Sequence, residues 1–574
     1  MKVIPAVVFY ISFFITSWKS PAQLPSANIS VLDAQINTNA ETILDSQNSV
    51  FYNEKIEQAI FGALNYLKFK QVPSENYRIN LYDFKTSEFS DFNIVGVFRS
   101  FLSNHLIHEK HMENTWPGFV SFLPGKGIAH FQPAFISTDY NLFTTASTAY
   151  PLFLFEDELL MPDSQFVTHM RSNAVIAIEK FRRGDSYNFW TTKKSKNYNY
   201  SYSAPDNIPI WIITLRKKLH DAVGFFSLSK IRESEIIIDW LNVIYNKNMN
   251  KSGHIALFNI PNDSDDSSMA MIIKHLNEKN NVFNNSVPDT SIIHSFVKFR
   301  DIKRNKSDRY NSIMGENTGA FLTWHKNDSI EDFSKPQYGI IPLKINNIDI
   351  TVNSNVLHFL ALAGLTEIPG FEETSIFLAN IIKENKWNNA SLYYPEKLWF
   401  PYCLSRAIRD GGLNIPQLND LLPVFVNQII ELQQDFEKKH PEMKGAFPVF
   451  DSVSYNLSTA LGLNTLLNLG RGNAIKAGNK ELFDKIIKNS LDFLLQNKKE
   501  PIKSKSYCGS KEYFWLSGPL YSSSVQDLAH WYSNSQNTAL VLEAFTKYLL
   551  KYQDNNSSKK MIIGKKGGDF ILTY

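Results

Sequence analysis

A helical periodicity of apolar residues in the C-terminal half is the feature that most constrains the fold of this chain. Apolar residues recur every three to four positions in segments of about 10 to 17 residues, joined by short loops. In segment 481–495, for example, Phe483, Ile486, Leu491 and Leu494 share one face. Short loops between amphipathic helices favour antiparallel hairpins. The predicted helices are Val356–Ala363, Phe371–Glu384, Lys397–Ile408, Leu421–Phe436, Asn456–Leu469, Glu481–Leu495, Ser522–Tyr532 and Asn537–Leu550.

Helical segments also dominate the N-terminal half, while strand patterns are scarce there. Further candidates are 54–70, 209–219, 229–245 and 290–299, which brings the total to about fourteen to sixteen helices. This pattern predicts an all-α fold over residues 51–552, an α/α toroid with minor β and loop insertions. Such a barrel of helical hairpins places its loops, and any site, at one mouth.

The two ends of the chain differ from this helical part. Lys2 precedes an almost entirely apolar run from Val3 to Trp18, and Ala22 offers a small residue for cleavage. The sequence predicts a signal peptide at 1–22, a flexible linker at 23–50 and a polar tail at 553–574. The mature protein is therefore expected to be exported, to the periplasm or the cell exterior.

Composition narrows the classes of partner. A formal net charge of +3 on 574 residues, with no basic run among aromatic residues, argues against nucleic acid as the main partner. No later stretch approaches the roughly 18 apolar residues of a membrane span, so no transmembrane segment is expected in the mature chain. Two cysteines, Cys403 and Cys508, permit at most one disulfide.

An acidic loop interrupts the helical pattern at Asp263-Ser264-Asp265-Asp266. Pro261 precedes it and an apolar helix follows, so the loop is expected at a helix N-terminus that Asp266, Ser267 or Ser268 caps. Three carboxylates this close must bind a cation, share a proton or face bulk water. One interpretation is a solvated capping turn, and the other is a general acid.

The spacing Asp263-x-Asp265-Asp266 resembles the Asp-x-Asp-Asp motif of class II terpene cyclases of the squalene-hopene and diterpene kind. Those enzymes are α/α toroids whose middle Asp protonates an alkene or epoxide to start a carbocation cascade. The resemblance implies that Asp265 is the general acid, tuned by Asp263 and Asp266. It also implies a hydrophobic isoprenoid substrate and no redox cofactor. The magnesium-binding Asp-Asp-x-x-Asp of class I synthases is not completed, because Met269 stands at its last position, and no metal site is predicted.

The crowding of its three carboxyl groups explains how the motif could supply a proton. An isolated carboxylic acid, with a pKa of about 4, is ionised at neutral pH. Crowded carboxyl groups in a dry pocket keep one proton bound, and this proton can be transferred. Aromatic residues in predicted loops at the mouth are candidates for the substrate pocket, although packing of helix ends is an alternative for each. They are Trp324, Tyr394, Trp399, Trp515 and Trp531.

Two other functions remain open at this stage. Export favours a carbohydrate-active enzyme on a similar helical barrel, such as a polysaccharide lyase or a glycosidase that binds a glycan in an open groove. A barrel without catalytic activity that acts as a binding module is the third hypothesis. The acidic spacing favours the cyclase hypothesis over both.

Overall fold

The structure is a computed structural model of the chain. Its compact units are residues 1–52 and 53–574, and the contacts reported below belong to the second. The predicted signal peptide 1–22, Cys508 and the predicted helices 209–219 and 229–245 lie outside the described residues. The structure describes residues 38–72, 112–122, 135–154, 165–194, 201–205, 259–280, 290–302, 317–326, 346–449, 454–501, 511–522, 529–552, 562–566 and 569–573.

Helices form most of the described chain, as the sequence predicts. They are α1 (Thr38–Lys70), α2 (Leu142–Leu154), α3 (Gln165–Glu179), α4 (Ser264–Asn280), α5 (Thr290–Lys298), α6 (Ile350–Leu362), α7 (Phe371–Lys383), α8 (Trp399–Arg409), α9 (Pro416–Asn419), α10 (Leu422–Lys439), α11 (Tyr455–Leu469), α12 (Arg471–Lys476), α13 (Lys480–Gln496) and α14 (Asn534–Tyr552). The strands are β1 (Gly118–Phe122), β2 (Phe135–Asp139), β3 (Arg182–Arg183), β4 (Ser186–Tyr187), β5 (Thr192–Lys194), β6 (Ser201–Ser203), β7 (Tyr521–Ser522), β8 (Ala529–Tyr532), β9 (Ile562–Lys566) and β10 (Asp569–Thr573).

Six of these helices form a ring. Helix α2 contacts α4, and the contacts continue through α6, α8, α11 and α14, which in turn contacts α2. Other helices pack outside this ring: α3 contacts α2 and α4, α7 contacts α6, and α13 contacts α11. The alternation of inner and outer helices along the sequence is that of an α/α toroid, so the prediction of fold class is confirmed.

Burial separates the inner from the outer helices. Residues 456–469 of α11 and 350–360 of α6 are buried all round, as expected for helices enclosed by neighbours. Helices α7, α10 and α13 bury a single stripe instead, which in α13 consists of Phe483, Ile486, Ile487, Ser490, Leu491 and Leu494. The amphipathic periodicity in the sequence therefore marks mainly the outer helices.

The inner helices run in a common direction. Phe143 at the start of α2 contacts Tyr394 just before α8, with ring centroids 5.9 Å apart. At the opposite ends, Lys547 late in α14 bonds Asp410 just after α8 at 2.7 Å. The N-terminal ends of the ring helices therefore meet at one mouth, and the acidic loop lies there because it opens α4.

A four-stranded antiparallel sheet, in the order β2-β1-β8-β7, lies at this mouth. Strand β2 ends at Asp139, just before α2, and β8 ends at Tyr532, just before α14. In the register of β1 and β8, Val120 lies opposite Trp531. The prediction of a helix over Ser522–Tyr532 is therefore wrong at its C-terminal end, because Ala529–Tyr532 pairs with β1 as a strand.

Two local elements lie near the ends of the described chain. Helix α1 begins at Thr38, within residues 23–50. In the predicted polar tail 553–574, β9 and β10 pair as an antiparallel hairpin. The domain boundaries themselves stay predictions.

Gly445 offers a test of how tightly the outer helices pack. Its φ is +82°, and a Cβ there would lie 2.2 Å from the backbone oxygen of Asn489. We expect Gly445→Ala to lower the free energy of unfolding in urea by about 2–5 kcal/mol, because both backbone strain and overlap oppose the methyl group. Gly472→Ala is the matched control, since a Cβ at this helical position meets nothing within 4 Å. Equal stability of the two variants would contradict the packing.

Candidate active site

The acidic loop is held in place by a backbone pairing with residues 321–326. The N–H of Ser264 donates to the carbonyl of Thr323 at 2.8 Å, and the N–H of His325 donates to the carbonyl of Asn262 at 2.8 Å. The Ser264 hydroxyl donates to the carbonyl of Leu322 at 2.6 Å. Helix α4 thus begins at Ser264, and its cap is Asp263, whose Oδ1 accepts the N–H of Asp266 at 2.7 Å. The expected caps Asp266, Ser267 and Ser268 instead lie within the helix.

A neutral histidine holds the other side of this loop. The ring nitrogens of His325 lie 2.8 Å from Ser186 Oγ and 3.2 Å from Ser264 Oγ. Burial lowers the pKa of His325 to about 3, so the ring is uncharged at neutral pH. Ser186 also contacts the hydroxyl of Ser267 at 2.5 Å. The loop is therefore fixed by neutral hydrogen bonds that add no charge beside the carboxylates.

Asp265 is buried and hydrogen-bonded through both of its oxygens. The Asn355 amide donates to Oδ1 at 2.7 Å, and the Tyr394 hydroxyl donates to Oδ2. Asn355 lies in the middle of α6, and Tyr394 lies in the segment before α8. Two neighbouring helices of the ring system thus converge on the carboxyl group that the sequence predicts as the acid.

Asp349 fixes the position of Tyr394. As the cap of α6, its Oδ1 accepts the N–H groups of Thr351 and Val352 at 2.7 and 3.2 Å. Its Oδ2 accepts the N–H groups of Leu392 and Tyr393 at 2.5 and 3.2 Å. One carboxylate therefore ties the start of α6 to the segment that carries the phenol, so that Asn355 and Tyr394 approach Asp265 in a fixed relation.

The three carboxyl groups of the motif all favour protonation. Burial raises the pKa of Asp265 to about 7, and the charges of Asp263 and Asp349 act in the same direction. Burial raises the pKa of Asp263 to about 6. Burial and the neighbouring Asp263 raise the pKa of Asp266 well above its usual range. At neutral pH the cluster therefore holds protons that exposed carboxyl groups would release.

Behind Asn355 lies a buried network of charges. Arg406 donates to Asn355 Oδ1 at 2.6 Å and lies over the ring of Tyr150 at 4.6 Å.

Tyr402 donates to Glu543 at 2.7 Å, and the Lys547 ammonium bonds Glu543, Asp410 and Asn468, each at 2.7 Å. Arg409 also lies 3.9 Å from Asp410, so three cationic side chains and two carboxylates meet in this network.

One of the predicted pocket residues, Tyr394, bonds Asp265, and two others are reached from it through ring contacts. Tyr394 and Trp399 contact each other and Phe143, with centroids 5.5 to 6.5 Å apart. Phe143 contacts Tyr521 at 5.5 Å, and Tyr521 stacks on Trp531 at 5.7 Å. The indole of Trp531 donates to Asp139 at 2.8 Å, which fixes its orientation. Aromatic faces therefore continue from the acid to the sheet at the mouth.

The other two predicted pocket residues differ in position. Trp324 forms an antiparallel bridge with Asp263 and donates from its indole to the Tyr393 hydroxyl at 2.9 Å, so it supports the loop. Trp515 donates to the carbonyl of Leu494 at 2.7 Å and packs on Phe545. The contacts of Trp515 are those of a residue that packs helix ends. None of its described contacts is with the acidic cluster.

Sequence reasoning missed the role of Asn355. The run Asn353-Ser354-Asn355 predicts a helix cap, but α6 begins at Ile350 and Asp349 is the cap. With the correct start, Asn355 lies at an inner position of an apolar helix, and a buried amide there requires partners. Arg406 is seen from the sequence only as a residue near a helix end. Glu543 and Lys547 four residues apart on a helix also resemble an ordinary surface pair.

Three further observations concern the described part of the chain. Among the described residues, no group of three or more His, Cys, Asp or Glu side chains is arranged to hold a metal ion. None of the described helices combines the length and apolarity that crossing a bilayer requires. A cavity of about 290 Å³ lies between α10 and α13, and its lining, which includes Gln433 and Lys485, contains no residue of the acidic cluster.

The structures to which the chain is similar include type II terpene cyclases. A ligand-free variant of one of them, MstE from Scytonema, matches over 87% of this chain and 98% of its own, with 10% identity and a TM-score of 0.42. A variant of MstE in complex with its substrate geranylgeranyl dihydroxybenzoate matches over 86% and 97%, with 10% identity and a TM-score of 0.40. A protein from Actinoplanes matches over 79% and 98%, with 10% identity and a TM-score of 0.40.

No protein-family model and no curated protein sequence matches the chain. With identities near 10% and TM-scores near 0.4, the structural similarities are weak. Any proposal of function therefore depends on this chain's own residues.

The pKa of Asp265 predicts a pH dependence of stability. A carboxyl group whose pKa rises from about 4 in the unfolded chain to about 7 in the fold stabilises the fold fully below pH 4, and this contribution is lost as pH rises through 7. We expect Asp265→Asn to remove this contribution. Between pH 5 and 7 the free energy of unfolding should then fall less steeply, by about 1 kcal/mol per pH unit.

Comparison with the parent isolates Asp265, because buried His325 acts in the opposite direction in both proteins. Urea denaturation at pH 5, 6, 7 and 8 measures the slopes. Asp435→Asn is the control, since Asp435 is an exposed residue of α10 beside Lys438. Identical slopes for parent and Asp265→Asn would mean that Asp265 titrates as an ordinary surface carboxyl group does.

Proposed function

We propose that this protein is a class II-type terpene cyclase in which Asp265 starts the cyclisation of an isoprenoid by protonating it. The observation that carries this proposal is the buried carboxyl group of Asp265, bonded by Asn355 and Tyr394 and flanked by two more carboxyl groups. Burial raises its pKa to about 7, so a substantial fraction is protonated at neutral pH. This is the condition that a general acid must meet.

The proton balance of the first step is simple. The O–H bond of Asp265 breaks, and the π-electron pair of a terminal alkene forms a new C–H bond with that proton. An epoxide would instead receive the proton on oxygen, and its C–O bond would break. Either way a tertiary carbocation forms beside the Asp265 carboxylate, and internal alkenes attack it in turn. Loss of a proton from the last cation gives a cyclic isomer, so no oxidant or reductant is consumed.

The surroundings of Asp265 suit this chemistry. Asn355 and Tyr394 donate to the carboxylate that proton transfer creates, and these donors are in place before the reaction. The faces of aromatic residues such as Phe143, Trp399 and Tyr521 attract cations, and they lie in a continuous series from the acid. The buried carboxyl group of Asp265 and its two donors support the cyclase hypothesis over the carbohydrate-active and binding alternatives.

Solvent deuterium tests the proposal directly. Purified protein in mild detergent is given squalene, oxidosqualene and C15 to C20 prenyl substrates in D₂O, and products are analysed by gas chromatography and mass spectrometry. We expect a cyclic product that carries one deuterium at the carbon protonated first, or on the oxygen of an opened epoxide. Asp265→Asn should form none.

A cyclic product without solvent deuterium, from a substrate whose initiating group is an alkene, would contradict initiation by protonation. Absence of turnover across the panel, with a folded protein, would contradict the cyclase assignment. Glycans would then be the next substrates to test.

A further inference from the structure

Asn355 can hold Asp265 correctly in only one of its two amide orientations. If the amide nitrogen faces Asp265 Oδ1, it donates a hydrogen bond to the carboxylate. If the amide oxygen faces it, two acceptors oppose each other and the carboxylate is destabilised. The two orientations occupy the same volume, so packing alone does not choose between them. Some other group must make the choice.

Arg406 makes this choice. Its guanidinium has only donors, and Nη2 lies 2.6 Å from Asn355 on the side away from Asp265. The Asn355 atom that faces Arg406 must therefore be the oxygen, which leaves the nitrogen for Asp265, 2.7 Å away. We propose that Arg406 is a positioning residue, which locks the amide of Asn355 so that its nitrogen donates to Asp265. This inference rests on the proposed function for its catalytic meaning.

The location of Arg406 suits such a lock. It is buried, and its guanidinium lies between the rings of Tyr150 and Tyr402, at 4.6 and 5.0 Å from their centroids. Nη2 also contacts Met269 Sδ on α4 at 3.3 Å. The contacts with both rings limit the movement of the guanidinium while Nη2 bonds Asn355. Arg406 thus reaches Asp265 through one amide and does not contact it.

Other titratable groups also face Arg406, and the test must separate their effects from that of the amide. They come from α2, α6, α8 and α14, and they are Tyr150, His358, Tyr402, Cys403 and Glu543. The cation itself could influence Asp265 through space, without Asn355. The effect of Arg406 through the amide requires Asn355, whereas the effect of its charge through space does not.

A double-mutant cycle on the pKa of Asp265 separates them. The pKa is measured by infrared difference spectroscopy of the protonated carboxyl stretch, assigned by its loss in Asp265→Asn. We expect Arg406→Met to raise the pKa by about one unit in the parent, because the carboxylate loses a fixed donor, and to leave it unchanged in the Asn355→Ala background. An equal shift in both backgrounds would overturn the proposal, since Arg406 would then act by its charge alone.

Two further measurements complete the test. In turnover, Arg406→Met should lower kcat about tenfold or more with little change in KM, whereas Arg409→Met, an arginine of the same helix that bonds the Leu467 carbonyl, should change neither. If Arg406→Met does not fold, Arg406→Lys keeps the charge but lacks the planar fork, and it should shift the pKa in the same direction. Since the infrared pKa needs no turnover, it tests the lock even if the chain proves not to be a cyclase.

Discussion

Replacing Asp265 by Asn is expected to lower the rate of the proposed cyclisation by at least about a thousandfold in a protein that still folds. Removal of a general acid costs roughly 10²–10⁴-fold, and alkene protonation lies at the upper end because water cannot replace the acid in a buried site. The Asn side chain has nearly the same shape and its oxygen can still accept from Tyr394, but its N–H₂ group then faces the N–H₂ group of Asn355. The loss is assigned to chemistry once circular dichroism shows that the variant is folded.

The neighbouring carboxyl groups sharpen this test. Burial and the neighbouring carboxyl groups raise the pKa of Asp266 and favour its neutral form, which the Asn amide resembles, so we expect Asp266→Asn to retain activity within about tenfold. Asp263→Asn keeps the helix cap, because Asn caps as well as Asp, but removes a charge that raises the pKa of Asp265. Its activity should fall more than that of Asp266→Asn and less than that of Asp265→Asn.

Initial rates of product formation for the three variants, with circular dichroism to verify folding, decide the order. A larger loss in Asp266→Asn than in Asp265→Asn would transfer the role of acid to Asp266. Equal and small losses in all three would mean that the cluster serves to cap α4, as the alternative interpretation of the loop holds.

The sequence predicted the architecture well because each outer helix has apolar residues on one face only, which gives a clear three-to-four-residue periodicity. Helix α13 has its stripe at the expected positions, and α11 spans Tyr455–Leu469 against the predicted Asn456–Leu469. Inner helices are harder to predict, because burial on all sides removes the contrast between faces. Helix α6 was expected to start at Val356 and starts at Ile350, and this difference hid Asn355 among its capping residues.

The acidic motif could be located from local spacing, but its partners could not. Asp265 meets Asn355, 90 residues later, and Tyr394, 129 residues later. Neither partner is marked by composition, since Asn is common in the chain and Tyr394 adjoins another tyrosine. Only the closing of the ring brings them together. For the same reason Trp515 and Trp324 looked equivalent to Trp399, although only Trp399 has ring contacts with Tyr394.

The charge network below the site should dominate stability. Lys547 is 3% exposed and its partners Glu543 and Asp410 are 0% and 9% exposed, so all three charges depend on one another for solvation. We expect Lys547→Met to lower the free energy of unfolding in urea by about 3–5 kcal/mol, because it leaves buried carboxylates without their cation.

Two comparisons establish the cause. Lys511→Met breaks an ion pair of similar length, 2.8 Å, with Glu500, but the pair is exposed, so we expect little or no change. Adding Glu543→Gln to Lys547→Met should recover part of the lost stability, because Gln accepts from Tyr402 without a charge. If the double variant is instead less stable than Lys547→Met, the unpaired charge of Glu543 is not what destabilises Lys547→Met. The network would then stabilise the ring through hydrogen bonds rather than through paired charges.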